Sequence, residues 1–223
     1  MVIAIDGPAA SGKSSTARAV AAALGYRHLD SGAFYRALTL ALLRSGIPEQ
    51  EWDSLTASDL AQLQVAGVAE AGGYLFRIGS EEVTGEIRSP AVSASVSRVA
   101  AIPAVRDWLL GTLRAAGAKG GLVADGRDIG TVVFPDAELK VFLVCAPQER
   151  ALRRLREQGD ASASVEDIRA EAERLRTRDH LDSSREVAPL LRAADAITLD
   201  TTGLAFNSQV DAILRLARTR AGG

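Results

Sequence analysis

The run Gly7-Pro8-Ala9-Ala10-Ser11-Gly12-Lys13-Ser14 restricts the folds open to this chain more than anything that follows it. It fills the pattern G-x-x-x-x-G-K-[ST] completely. It also lies between Val2 to Ile5, an apolar and largely β-branched run, and a helical pattern of small residues from Ser14 to Leu24. A strand that passes through a glycine-rich turn into a helix can wrap backbone N–H groups around phosphate oxygens, and the helix N-terminus adds the positive end of its dipole. In that setting Lys13 reaches the β and γ phosphates of a nucleoside triphosphate, Ser14 sets its hydroxyl on Mg²⁺, and Ser15 supports the α-phosphate side. A purely structural glycine turn is the alternative, and the strand-to-helix context argues against it. Asp6, just before the turn, has two readings: it orients water around the metal, or it caps and holds the loop.

Strand-like and helical segments alternate along the rest of the chain. Gly25 stops the first helix, Tyr26 to Leu29 reads as a short strand, and Phe34 to Leu43 as a helix ending before Pro48. A further helix is expected between Trp52 and Gly67. Tyr74 to Gly79 and Glu82 to Arg88 are short β-capable runs broken by Gly-Ser, which predicts a hairpin or small antiparallel sheet. Val92 to Leu113 reads as two helices broken near Pro103. Gly121 to Ala124, Leu139 to Val144 and Ala196 to Leu199 read as core strands, separated by helices over Gln148 to Gln158 and Val165 to Thr177 and followed by one over Asn207 to Arg218. The nearly unbroken apolar run at Leu139 suits a parallel strand covered on both faces. The expected class is an open parallel α/β sheet with right-handed crossovers. Residues 31 to 100 read as an excursion from the main sheet within one domain over 1–223.

The composition removes other classes. The 223 residues are 47% hydrophobic and carry a formal charge of −2, which supports one sizeable core and no disordered chain. No basic tract favours nucleic acid, no segment is long enough to span a bilayer, and the start lacks the pattern of an export signal. The single cysteine, Cys145, sits in an apolar run and reads as a small buried hydrophobe. A cytoplasmic monomer is therefore expected, with no membrane or nucleic-acid partner. The two histidines, His28 and His180, have no ligand-spaced companions, which leaves Mg²⁺ carried with the nucleotide as the only metal expected.

A phosphate loop alone does not separate kinase, GTPase, ATPase and motor. No N/T-K-x-D guanine-reading segment is present, which weakens the GTPase reading. Asp30-Ser31-Gly32-Ala33-Phe34-Tyr35-Arg36 enters a helix, where Arg36 could grip an acceptor phosphate; a helix cap with a solvated arginine is the alternative. Asp125-Gly126-Arg127-Asp128-Ile129-Gly130-Thr131 follows a core strand, where α/β folds collect ligands. Arg178-Asp179-His180-Leu181-Asp182-Ser183-Ser184-Arg185 reads either as a phosphate and sugar site or as a surface ion-pair network.

Together with Val83-Thr84-Gly85-Glu86-Ile87-Arg88 and Val187-Ala188-Pro189, these segments closely resemble the bacterial cytidylate kinase family over nearly the whole chain. The resemblance implies a nucleoside monophosphate kinase that converts ATP plus CMP or dCMP to ADP plus CDP or dCDP. It also implies a parallel sheet, a monophosphate-binding region around 31–100 with an insertion containing Tyr74 to Arg88, and a short lid near 148–162 whose Arg150, Arg154 and Arg156 close over ATP phosphates. By the same resemblance Ser97, Arg106 and Asp128 read the cytosine edge, Ser31 lies near base or sugar, and Asp182 accepts from sugar hydroxyls. Arg36, Arg127, Arg178 and Arg185 bind phosphate, while Asp30, read from its place before the helix, orients an acceptor or a metal-bound water or else caps that helix. Leu181 and Ser183-Ser184 depart from the more charged or amide-bearing residues of many relatives, while the spacing of Arg178, Asp182 and Arg185 is kept. A UMP, AMP or small-metabolite kinase and a non-catalytic nucleotide-binding module remain as alternatives.

Overall fold

The computed structural model describes residues 1–70, 72–160 and 162–222. Its centre is a five-stranded sheet in the order β2-β6-β1-β7-β8, formed by β1 (Val2–Asp6), β2 (Arg27–Asp30), β6 (Leu122–Gly126), β7 (Leu139–Val144) and β8 (Ile197–Asp200). All four pairings are parallel. Side chains alternate between faces along each strand. Ile3 and Ile5 of β1 therefore pack with Val123, Val141 and Leu143 against α1 (Lys13–Leu24) and α8 (Phe206–Ala221). Ala4 turns to the other face with Leu29, Leu122 and Ala124, which are covered by α2 (Ser31–Ser45) and α5 (Pro103–Gly117). Both faces are dry, which explains why the strands read as apolar runs without clean alternation.

The chain between α2 and α5 differs from the expectation in two respects. The run Glu82 to Arg88 is strand only at its start, Glu81–Glu82, and turns into a 3₁₀ turn over Glu86–Arg88. The pattern from Trp52 to Gly67 divides into a 3₁₀ turn over Glu49–Ser54, a short α3 (Ala57–Gln62) started by a reciprocal Thr56–Asp59 capping box, and a strand. That strand, β3 (Val65–Glu70), joins β4 (Gly73–Ile78) and β5 (Glu81–Glu82) in a three-stranded antiparallel sheet, the small sheet expected around Tyr74 with β3 added to it. Packing of aromatic rings decides the outcome. Phe34 of α2 meets Tyr74 and Phe76 edge-on at 5.1 and 4.9 Å, and a Cβ on Gly67 would stand 2.6 Å from the Phe34 ring. Only a glycine strand fits against that ring, so tertiary contact overrides helical periodicity.

α4 (Pro90–Val99) and α5 follow, each with proline in its first turn, which tolerates the missing N–H. α6 (Pro147–Glu157) and α7 (Val165–Ser183) form a hairpin over the carboxyl end of the sheet. Ala161 of the expected lid lies outside the described residues. No helix among the described residues is long and apolar enough to cross a membrane.

Candidate active site

Strand register gathers the site. Asp6, Asp30 and Asp125 end or nearly end three adjacent strands, with Ile5 and Asp30 both paired to Asp125. The phosphate loop leaves β1 at this edge. Its first glycine has a packing reason, because a Cβ on Gly7 would lie 2.6 Å from the Leu143 carbonyl oxygen. Gly12 caps α1 with φ of 88°, in the left-handed region that glycine occupies without cost. The Lys13 ammonium folds back to donate to the Pro8 carbonyl at 3.0 Å. Burial, reinforced by Arg127, pulls its pKa down from 10.5 to about 7. Ser14 donates its hydroxyl proton to Asp125 Oδ2.

Asp6 follows the holding reading, with a different object. Its two oxygens accept from the Ile129 and Gly130 amides at 2.8 and 2.7 Å, so it fastens the turn after β6 rather than the phosphate loop. That turn, Ile129–Val133, is one π-helical turn, a form often found at functional sites. Burial raises the Asp6 carboxyl to about 6 against those two amides.

The loop has a second tie from α7. Asp179 Oδ1 accepts from the Ala9 amide at 2.9 Å, and its Oδ2 pairs with Arg150, whose guanidinium also donates to the Ala9 carbonyl at 2.9 Å. The expected lid arginines therefore separate. Arg150 is buried beneath the loop as a strut, Arg154 lines the loop cavity, and Arg156 is exposed and lines none of the cavities described here. The difference follows from helical geometry, since Arg150 and Arg154 lie one turn apart on one face of α6 while Arg156 points elsewhere. Arg153, absent from the sequence expectation, donates to the Thr201 carbonyl at 2.7 Å.

Two cavities adjoin over the carboxyl edge. The larger, 420 Å³, is lined by Ala9, Ala10, Gly12, Lys13, Ser14 and Ser15, with Asp125 and Arg154. The smaller, 60 Å³, holds Ser31, Ser97, Arg106, Asp128, Asp182 and Arg185. Arg36, Arg127 and Arg178 line both, so they stand at the junction. Within the smaller cavity Arg106 pairs with Asp128, donates to the Ala100 carbonyl at 2.9 Å, and lies 5.4 Å from the Tyr35 ring centroid. Ser31 donates to the Asp125 carbonyl at 2.8 Å. Asp182 accepts from Arg127 at 2.8 Å; burial pushes its carboxyl up, and the neighbouring arginines, Arg127 foremost, outweigh that and hold it below its ordinary value. Asp30 caps α2 through the Ala33 amide at 3.1 Å, the capping reading, while its other oxygen holds Arg88 at 3.0 Å at the edge of the larger cavity.

The cationic groups repel one another. Burial and then Arg178 lower Arg36 to about 9, and burial and then Arg127 lower Arg178 to about 10. Arg178 Nε and Arg185 Nη2 are buried with no hydrogen-bond partner among the described residues. Buried donors left in that condition signal a missing acceptor, and anionic oxygen suits it. Arg18, Arg88 and Asp125 also face the larger cavity and were not foreseen as site residues. Only Asp125 had a sequence signal, its place at a strand end.

The cytidylate kinase family profile matches residues 3–219. The chain belongs to the cytidylate kinase family. A cytidylate kinase of Streptococcus suis is 46% identical over 217 residues, covering 97% of this chain and 96% of that one. A bifunctional pantoate ligase/cytidylate kinase of Synechococcus is 45% identical over 226 residues; the match covers 99% of this chain and 46% of that longer protein. Among solved structures, an uncharacterized protein of Eubacterium ventriosum superposes with a TM-score of 0.52 at 11% identity over 98% of both chains, a likeness of fold.

Proposed function

We propose that this member of the cytidylate kinase family transfers the γ-phosphoryl group of ATP to the phosphate of CMP and dCMP. The observation that carries the reading is the junction. Arg36, Arg127 and Arg178 border both the phosphate-loop cavity and the smaller cavity, where a phosphoryl group would pass between two bound nucleotides. ATP occupies the loop cavity with its phosphates against residues 7 to 15, held by Lys13 and by the loop's backbone N–H groups other than that of Ala9, which Asp179 takes, and Pro8, which has none. Arg154 closes from α6, which with the following turn acts as the lid. CMP enters at the smaller cavity, which has to widen from 60 Å³ to seat it, with Ser97, Arg106 and Asp128 on the cytosine edge, Ser31 and Asp182 toward the sugar, and Asp30 supporting the entry of α2.

An acceptor phosphate oxygen is already nucleophilic once its charge is balanced against that of ATP. The chain's task is then alignment, charge neutralisation and exclusion of water, with no general base. Arg36, Arg127 and Arg185 balance the acceptor dianion, Arg178 faces donor and acceptor together, and Lys13 follows the charge shifting off the γ-phosphoryl group. Bound phosphate would restore the Lys13 proton that burial disfavours in the free protein.

No group of three or more His, Cys, Asp or Glu among the described residues is arranged to hold a metal ion, so a cation would enter with the nucleotide. The residues fit such a cation. Ser14 and Asp125 offer hard oxygen donors at the start of α1, and Mg²⁺ prefers few protein ligands beside phosphate and water. When bound there, Mg²⁺ neutralises charge on the β and γ phosphates.

The test is ADP formation from Mg-ATP with CMP, dCMP, UMP, AMP, GMP, dTMP and shikimate as acceptors. A clear rate advantage for CMP and dCMP supports the reading. Preference for another acceptor overturns the base site while keeping phosphoryl transfer, and binding without transfer overturns both.

A further inference from the structure

Asp125 is 1% exposed, and each of its carboxylate oxygens has one side-chain partner. Oδ2 takes the Ser14 hydroxyl proton, and Oδ1 lies 2.7 Å from His28 Nε2. His28 sits on β2 opposite Val123 of β6, two residues before Asp125, so the ring and the carboxylate share one sheet face on neighbouring strands. The ring borders a third cavity of 350 Å³ beside β4, which meets the loop cavity at Arg18, Asp30 and Arg88, and His28 itself lines neither nucleotide cavity. Among the described residues the side-chain hydrogen bond that leads from His28 into the site is the one to Asp125.

We propose that His28 is a positioning residue for the nucleotide-borne divalent cation: its Nε2–H bond fixes Asp125, and Asp125 in turn orients the Ser14 hydroxyl. A hydroxyl has one proton to donate. With that proton on Asp125, the Ser14 lone pairs turn to the loop cavity, the orientation a cation needs. A carboxylate this deeply buried must keep both oxygens matched. Without His28, Asp125 turns to the cation already near it, Lys13, and the Ser14 orientation is lost with it. The interaction is of the outer-shell kind that tunes a metal's ligands without touching the metal. The inference rests on the reading that Mg-ATP fills the loop cavity.

The experiment measures ATP dissociation constants by calorimetry without acceptor, in EDTA and in excess Mg²⁺, and takes their ratio for the wild type and for His28→Phe, His28→Asn and His28→Gln. CMP affinity is measured alongside. Phe keeps the ring volume without a donor, Asn has a donor too short to reach Asp125, and the Gln amide nitrogen stands near Nε2. Expected is a ratio about tenfold smaller for Phe and Asn, a ratio close to wild type for Gln, and unchanged ATP affinity in EDTA and CMP affinity throughout. Where His28→Phe does not fold, the Asn and Gln pair decides. A wild-type ratio in the Asn variant overturns the proposal, as does an equal loss of ATP affinity in EDTA, in Mg²⁺ and of CMP affinity, which would make His28 a packing residue. A wild-type enzyme whose ATP affinity ignores Mg²⁺ overturns the underlying reading of the loop cavity as well.

Discussion

The Arg106–Asp128 pair separates stability from base recognition in a way that can be measured. Both side chains are buried, at 6% and 5% exposure, so each is the other's principal compensation. Removing either partner of such a pair costs about 3–5 kcal/mol. The two removals are not equivalent. Burial holds the Asp128 carboxyl above its ordinary 3.8 even with Arg106 beside it. In Arg106→Met the carboxyl rises further and can take a proton. A raised folded pKa gives stability that is fully present below 3.8 and is lost as pH rises through the folded value. The wild type shares that loss up to its own folded value, so the extra penalty in Arg106→Met grows by about 1.4 kcal/mol per pH unit only between the wild-type and the variant's folded values and then levels off. The loss should approach about 3 kcal/mol at pH 8 and shrink at pH 5.

Asp128→Ala leaves a guanidinium that cannot neutralise itself, so its loss of about 3–5 kcal/mol should persist at both pH values. The double variant Arg106→Met/Asp128→Leu should return to within about 1 kcal/mol of wild type and still lose cytosine preference. Urea unfolding at pH 5 and pH 8, with unchanged m, reads the first part; the CMP-to-UMP ratio of kcat/KM reads the second. Equal, pH-independent losses in the two single variants would refute the reasoning.

Lys13→Met should cut turnover by about 10³-fold while folding stability holds or rises, because a buried ammonium is removed; urea unfolding beside steady-state rates checks both. In the wild type, the lowered Lys13 value means that stability rises with pH from about 7 towards 10.5, and that ATP binding takes up protons above pH 7, read as buffer-dependent heats in calorimetry. Asp179→Ala releases the Ala9 amide and strands Arg150, so it should cost about 3 kcal/mol and raise KM for ATP more than KM for CMP. Thr56→Ala removes one half of the α3 capping box and should cost about 1 kcal/mol with turnover unchanged, seen as a lower urea midpoint.

The sequence made the parallel sheet readable because its strands are short apolar runs punctuated by Gly, Pro and helical stretches. The order of strands is settled by pairing, which no single segment encodes. The break in the reading at Trp52 to Gly67 has the same origin: Val65 and Gly67 join a sheet because Tyr74 and Phe76 across the turn stack on Phe34. At the site, the phosphate loop was legible because its pattern carries its own geometry. Ser97, Arg106 and Asp182 became legible only through resemblance, since each in isolation reads as an ordinary helix residue. The contacts of Arg150 with the Ala9 carbonyl and Asp179 gave no sequence signal, because burial beneath the loop depends on α6 and α7 crossing there. His28 gave no signal, as its partner lies on a strand almost a hundred positions away.

The crowd of guanidinium groups at the cavity junction has a bearing beyond the chemistry. In the free protein Arg36, Arg127, Arg178 and Arg185 press against one another, relieved by Asp182 and by the nearby Asp30, Asp128 and Asp179, and Arg178 Nε and Arg185 Nη2 stay without a hydrogen-bond partner among the described residues. Under the proposed function, nucleotide phosphates would supply the missing counter-ions, and the molecule would be held together in part by what it binds. At free ligand concentrations near a hundred times the dissociation constant, occupancy alone adds about 2.7 kcal/mol to folding stability. The lifetime of the protein is thereby tied to the nucleotide pool: starvation for nucleotides would leave more of it open to unfolding and proteolysis, and abundance would preserve it.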